Sequence, residues 1–219
     1  MDVNASSRCP IAWPIEDAAR LLRWAVGDST HPLAGHTLSG PYGKAYSHPN
    51  GFTKIPIATF GAAGCRLTLH IWHEHFRDGD IHDHRWAFAS VVLAGEIINT
   101  EYRPVCDDRG SLEQYMYTPS ADGTSFSLHP TGRIFNEGAA ARALIRTGES
   151  YSMALGQFHR AESGDLTATL VMRGPVMQSS ATMLLRRQSG APTTGADGRN
   201  RSLTARDVHR SVRSVLKLL

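Results

Sequence analysis

The sequence predicts a mainly β protein, a barrel or sandwich of many short strands with a helix at either end. Three observations carry this. Arg66 to His75 alternates, with Leu67, Leu69 and Ile71 on one face. Further short strand-like runs follow at 86–93, 96–102, 113–118, 124–129, 142–146, 150–155 and 166–172. Clusters of Gly, Pro and Asp, such as Pro104 to Gly110, separate them, and many short strands with such turns pack as a barrel or sandwich.

The elements follow in order. Residues 1–12 read as a loose leader and Pro14 to Val26 as a helix. Pro14 suits the first turn, Glu16 and Asp17 suit the positive end of the helix dipole, and Ala18, Leu21, Leu22 and Ala25 make an apolar stripe. Gly27-Asp28 ends it, and 28–51 reads as loop. The barrel is assigned to 52–187, after the leader, helix and loop of 1–51. Residues 188–202, rich in Gly, Ser, Thr and Pro, read as a linker. Residues 203–219 read as an amphipathic helix: Val208, Val212, Val215 and Leu219 form one stripe, and Arg206, Arg210, Arg213 and Lys217 stay outside. That stripe is expected to dock on the barrel itself or on a second copy, giving a homodimer. A basic membrane-surface helix is the alternative.

Composition narrows the function classes. The chain has 219 residues and a net charge of +3, enough to bury a core and too weakly basic to suggest nucleic acid. Its 3 cysteines, Cys9, Cys65 and Cys106, include no CxxC, which fits reduced thiols in a cytoplasmic protein. No stretch approaches the ~20 apolar residues of a transmembrane segment, and Met1 to Pro10 lacks the pattern of a signal peptide. There are 11 histidines, and His70, His73, His75, His82 and His84 lie close together.

The chemistry centres on Ile81-His82-Asp83-His84. Residues two apart on a strand share a face, so His82 and His84 present two imidazoles to one point and Asp83 faces away. His159, on a distant strand, would complete a facial metal site of three histidines. Imidazole suits Fe, Zn, Cu and Ni. Three neutral ligands leave the full dipositive charge on the metal, which favours an anionic, chelating substrate. His73 and His75 form a second HxH on the face of Leu67, Leu69 and Ile71, where His73 could act as a catalytic base. Trp72 and Trp86 flank the site in sequence and are candidate pocket walls, and Tyr102, Tyr117 and Tyr151 are candidate pocket hydroxyls, with Tyr151 the favoured catalytic one. Lys54 is a candidate anion contact. Arg160 and Glu162, just after the third histidine, could form an ion pair that steadies it.

These residues resemble the cupin motifs. The second cupin motif is matched by Gly148, Gly156 and His159, with Ala154 and Ser163 at its Pro and Asn positions. The first is matched by His82, His84 and Gly95, but Phe88 stands where the family has its glutamate ligand. A cupin with three histidines and no such glutamate resembles the cysteine dioxygenase group of thiol dioxygenases. Trp72 through Ile81-His82-Asp83-His84, Phe88 through Leu93 to Gly95, and Phe158-His159-Arg160-Ala161-Glu162 carry that likeness, over about 52–175. Lys54 falls near the group's substrate-carboxylate arginine, Ala87 lies nearest its crosslinking cysteine, and its outer Ser-His-Tyr set falls about where Ala168, Leu170 and Met172 lie.

The resemblance therefore implies a cupin, jelly-roll-like β-barrel. It also implies an Fe(II) centre on His82, His84 and His159, with Ni, Cu or Zn as other occupants. With O2 as co-substrate it would oxidise a small chelating molecule, thiol or amino-acid-like, in a pocket unlike that for cysteine. Two other functions fit the same residues: a non-redox metal cupin (isomerase, lyase or hydrolase) with His73 or Tyr151 as base, and a ligand-binding cupin without catalysis.

Overall fold

A computed structural model describes residues 19–23, 45–48, 50–60, 64–76, 80–120, 125–187 and 197–219. The strands are β1 (Tyr46–Ser47), β2 (Phe52–Phe60), β3 (Cys65–Trp72), β4 (Ile81–His82), β5 (Phe88–Ala94), β6 (Glu96–Cys106) and β7 (Leu112–Pro119). They continue with β8 (Ser125–Arg146), β9 (Ser150–Met153), β10 (Phe158–Ser163), β11 (Thr167–Arg173), β12 (Ala181–Arg186), β13 (Asp197–Arg199) and β14 (Arg201–Ser202). Helix α1 covers 19–23, and α2 is Ala205–Leu216. The remainder of the helix predicted at 14–26 lies outside the described residues.

The strands form two antiparallel sheets, in the orders β14-β1-β2-β3-β11-β5-β9 and β13-β8-β6-β10-β4-β12-β7. Their inner faces meet where Trp72 and Val92 of the first sheet pack with Ile97 and Ile145 of the second. This is a jelly-roll-like, mainly β barrel of two antiparallel sheets, with a helix near each end.

Three features depart from the sequence-based expectation. The runs at 124–129 and 142–146 belong to one strand, β8. Its first part pairs with β7 and its second with β6, so its continuity comes from two partners rather than from its own alternation. Strand β12 adds to the predicted set, carried by pairing to β4 and β7. Within the predicted linker, β13 pairs with β8 and β14 with β1.

The apolar face of the first sheet lies outside the barrel, not inside it. Leu67, Leu69 and Ile71 of β3 pack with Ile55 and Ile57 of β2, with Leu21 and Leu22 of α1, and with Val208, Val212 and Val215 of α2. Helix α2 starts at Thr204, whose hydroxyl accepts from the Asp207 N–H while the Asp207 carboxylate accepts from the Thr204 N–H, a reciprocal capping box. Val208, Val212 and Val215 of its predicted stripe are spent on the chain's own sheet, whereas Leu219 lies past the helix end and is exposed. No helix among the described residues is long and apolar enough to cross a membrane.

Glycines close two of the turns. Gly95, between β5 and β6, has φ +73, and a Cβ there would stand 2.5 Å from the Thr167 hydroxyl. Gly156, before β10, has φ +72, a turn conformation that glycine adopts without penalty. Both are the motif glycines seen in the sequence.

Candidate metal centre

The three histidines converge because of strand register. His159 of β10 stands directly opposite His82 of β4, so the two side chains share a face. His84, two residues on from His82, joins them. Their ligand nitrogens all lie within 4.8 Å of one another, and His84 Nε2 is 2.9 Å from His159 Nε2. The ring centroids are 4.8 to 5.0 Å apart. Among the described residues, no other group of His, Cys, Asp or Glu gathers in this way.

The outer nitrogens fix the tautomers. His82 Nδ1 donates to the Asp80 carbonyl at 2.8 Å, and His159 Nδ1 donates to Asn99 Oδ1 at 2.7 Å. Both rings are thereby left with their lone pairs at Nε2, facing the common point. Burial holds His82 below the usual imidazole pKa and holds His84 and His159 well below it, with the neighbouring imidazoles adding to the effect for the latter two. A 2.9 Å approach of His84 Nε2 to an Nε2 lone pair needs a proton or a cation between them. Three neutral, preoriented imidazole nitrogens are a fitting donor set for a divalent transition metal.

Among the described residues, no carboxylate completes the set. Asp83 faces away, its carboxylate accepting from the Thr182 N–H at 2.6 Å. The Phe88 ring meets His84 edge-on, with centroids 4.9 Å apart, at the position of the usual glutamate.

Several predicted residues surround this centre. The Trp86 ring lies 6.0 Å from that of His84. Lys54 is close enough to lower the pKa of His84. Tyr151 packs edge-on against Phe88 at 5.9 Å, and burial pushes its hydroxyl up to about 12 despite the neighbouring Ser90 hydroxyl. Trp72 packs in the barrel core against Val92 and Ile97, and its ring edges that of His70 at 6.1 Å. Arg160 and Glu162 do pair, at 3.4 Å, with Arg142 joining at 3.5 Å. Arg160 also lies over Tyr102, at 5.7 Å, and both alternate with His159 and Glu101, so this network is on the outer face.

His73 is a correction. It is exposed, and its Nε2 is paired with the Ser211 hydroxyl of α2 at 3.2 Å. It lies on the helix-covered side of β3 with Leu69 and Ile71, away from the three histidines. His75 is likewise exposed. The error was one of parity: the apolar face was assigned to the barrel interior, whereas the helices cover it.

The same parity puts the missed residues inside. His70 faces the interior beside Lys54, its register partner, and its ring stacks on Phe52 with centroids 4.4 Å apart. Arg173 continues the alternation of Thr167, Thr169 and Val171 past the predicted strand end, a signal present in the sequence. Asn99 is two residues from Glu101, which stands opposite His159. Its role required knowing that register, which no local pattern shows.

No protein-family model matches the chain. No curated protein matches it either. Solved structures with a similar fold include oxalate oxidase in complex with the substrate analogue glycolate, at 16% identity over 70% of this chain and 67% of that one, with a TM-score of 0.41. The Lactobacillus farciminis oxalate decarboxylase formate complex matches at 16% identity over 66% of this chain, which spans only 35% of that protein, with a TM-score of 0.35. The Drosophila melanogaster CENP-C cupin domain matches at 14% identity over 78% of this chain and 96% of that one, with a TM-score of 0.30. These likenesses carry nothing about activity.

Proposed function

We propose that the chain is a metal-dependent cupin oxygenase that holds Fe(II) on His82, His84 and His159 and uses O2 to oxidise a small chelating substrate, thiol or amino-acid-like. The observation that carries this is the meeting of three neutral imidazoles, His159 buried and His82 and His84 half-buried, on one inner face with Phe88 where a fourth ligand would be. Iron so held would bring substrate and O2 together at one Lewis-acidic centre able to pass electrons between them. Ni, Cu or Zn would find the same ligands.

The chain's own residues do the rest. Asp80 and Asn99 hold the ring orientations through Nδ1. Phe88 and Trp86 exclude water beside His84. Lys54 offers a cation to an anionic substrate. The non-redox alternative needs a general base, and neither candidate suits it: His73 is exposed on the helix side, and the Tyr151 hydroxyl, pushed up to about 12, does not give up its proton near neutral pH. The free thiols of Cys65 and Cys106 support a reducing, cytoplasmic setting.

The test is anaerobic purification, metal analysis and O2 uptake against a panel of small thiols and amino acids. Stoichiometric iron and substrate-dependent O2 uptake, both lost in His159→Ala, are expected. Iron-free protein, or uptake unchanged in that variant, overturns the reading.

A further inference from the structure

Four cations gather beside the histidines. Across the first sheet, Arg66 of β3, Arg173 of β11 and Phe88 of β5 stand in one register row. Directly opposed side chains share a face and have Cβ atoms about 5 Å apart, so Arg173 starts next to the ring that edges His84, and Arg66 starts next to Arg173 one strand further out. Trp86 then fixes two of the cations: Arg173 lies 4.7 Å and Arg85 5.1 Å from its ring. Lys54 lies 5.8 Å from the Tyr46 ring and stands opposite His70 in register.

None of the four has a carboxylate partner among the described residues. The ion pairs found there join Arg142 and Arg160 to Glu162, Arg186 to Glu137 and Arg210 to Asp207. Arg85 and Arg173 instead donate to the carbonyls of Ser179 and Gly174. The cations feel one another: Lys54 is pushed down to about 8 and Arg173 to about 10, first by burial and then by the neighbouring positive charges. Grouping like charges in a half-buried place is costly unless something negative joins them.

A second observation lies deeper on the same inner face. His70 Nε2, Thr169 Oγ1 and Ser90 Oγ are buried without hydrogen-bond partners. His70 and Thr169 are register partners, and Ser90 pairs with Val171, the next inward residue of β11. Buried polar atoms are seldom left unpaired in a folded protein, and a run of them in one interior invites a polar guest.

We propose that Lys54, Arg66, Arg85 and Arg173 form an anion subsite next to the three histidines, and that the substrate is a small dianion. One anionic group would go to the metal and the other, a carboxylate or a phosphate, to the cations. His70, Thr169 and Ser90 serve the body of the molecule with hydrogen bonds. The first half of this assignment rests on the metal reading above; the anion subsite does not.

The full chain, with iron loaded and after treatment with a chelator, is titrated calorimetrically with inorganic phosphate, succinate and acetate at low and high salt. Phosphate or succinate should bind at least about tenfold more tightly than acetate, a difference of about 1.4 kcal/mol, and should weaken as salt rises. Arg173→Gln and Arg66→Gln should each lower that affinity by about tenfold while iron content stays at the wild-type level. Preference for succinate assigns the second group as a carboxylate, and preference for phosphate assigns it as a phosphate. Two outcomes separate the readings: dianion binding retained after chelation shows that the subsite stands without the metal, and protein that takes up no iron yet binds dianions through Arg173 loses the metal assignment and keeps the subsite. Equal binding of acetate and both dianions, or unchanged dianion affinity in the arginine variants, overturns the subsite. Should Arg173→Gln fail to fold, Arg66→Gln and the wild-type salt dependence decide the matter.

Discussion

Asn99 Oδ1 accepts the Nδ1 proton of His159 at 2.7 Å, and Asn99 is itself buried on β6, the strand that pairs alongside β10. The bond chooses the tautomer that leaves Nε2 free for a cation. Outer partners of this kind are worth about 10- to 100-fold in metal affinity. Asn99→Leu should therefore weaken iron binding by about that factor, whereas Asn99→Asp, which keeps an acceptor, should hold it. Competition with a coloured chelator measures both. Equal affinities in wild type and Asn99→Leu would show that His159 needs no such support.

How far this centre could be read from the sequence follows from where each residue's information lies. The HxH pair is local, and strand period alone puts His82 and His84 together. Gly148, Gly156 and His159 keep a motif spacing, so the third histidine of the cluster was legible as well. The absent glutamate at Phe88 was visible in the same register. What failed was sidedness. Leu67, Leu69 and Ile71 do share a face, but the helices α1 and α2 cover that face. A sheet layered under helices has two buried sides, and the more apolar one is not necessarily the barrel interior. The mistake exchanged His73 for His70 and hid the inward placement of Arg66 and Arg173. Asn99 and the continuity of β8 depend on pairing between distant strands, which no window of sequence contains.

Phe88→Glu would restore the carboxylate of the usual cupin set. In metal-free protein the carboxylate stands opposite Arg173 but replaces a buried ring, and the lost apolar contacts should cost about 3 kcal/mol. Fe(II) should repay that cost through a fourth ligand. Thermal melting with and without metal is the measurement: the metal-free variant should melt below wild type, and the rise in melting temperature on adding Fe(II) should exceed that of wild type. A variant whose melting ignores the metal would place residue 88 outside the coordination sphere.

Helix α2 closes the outer face of the first sheet through Val208, Val212 and Val215, all fully buried. Val212→Ala should cost about 2 kcal/mol, by loss of buried methyl groups and the space they leave. Val212→Asp should cost more, because its charge would have no partner among Ile55, Leu67 and Leu69. Urea unfolding reads both. If the helix were a loosely attached tail, neither variant would move the midpoint.

Lys54 ties stability to pH in a direction opposite to that of most lysines, which gain a partner on folding. Burial first, then Arg173, Arg66 and Arg85, push its pKa from its ordinary 10.5 down to about 8, and Tyr46, His48, His70 and His84 complete its surroundings. Between those two values the unfolded chain holds a proton that the folded one has released. Stability should therefore rise with pH across that window, and the full penalty should apply below about 8. The penalty is at most roughly 3 kcal/mol, since each tenfold loss of proton affinity corresponds to about 1.4 kcal/mol. Lys54→Met, which keeps the bulk and removes the charge, should then be more stable than wild type at neutral pH. The gain should fade as the wild-type lysine deprotonates. The same substitution should weaken dianion binding, so the residue would be retained for its ligand at the expense of the fold. Denaturant midpoints followed from neutral to alkaline pH, beside phosphate titrations of both proteins, test the two halves together. A variant that is less stable than wild type at neutral pH would show that Lys54 is held by favourable contacts and not kept there for an anion.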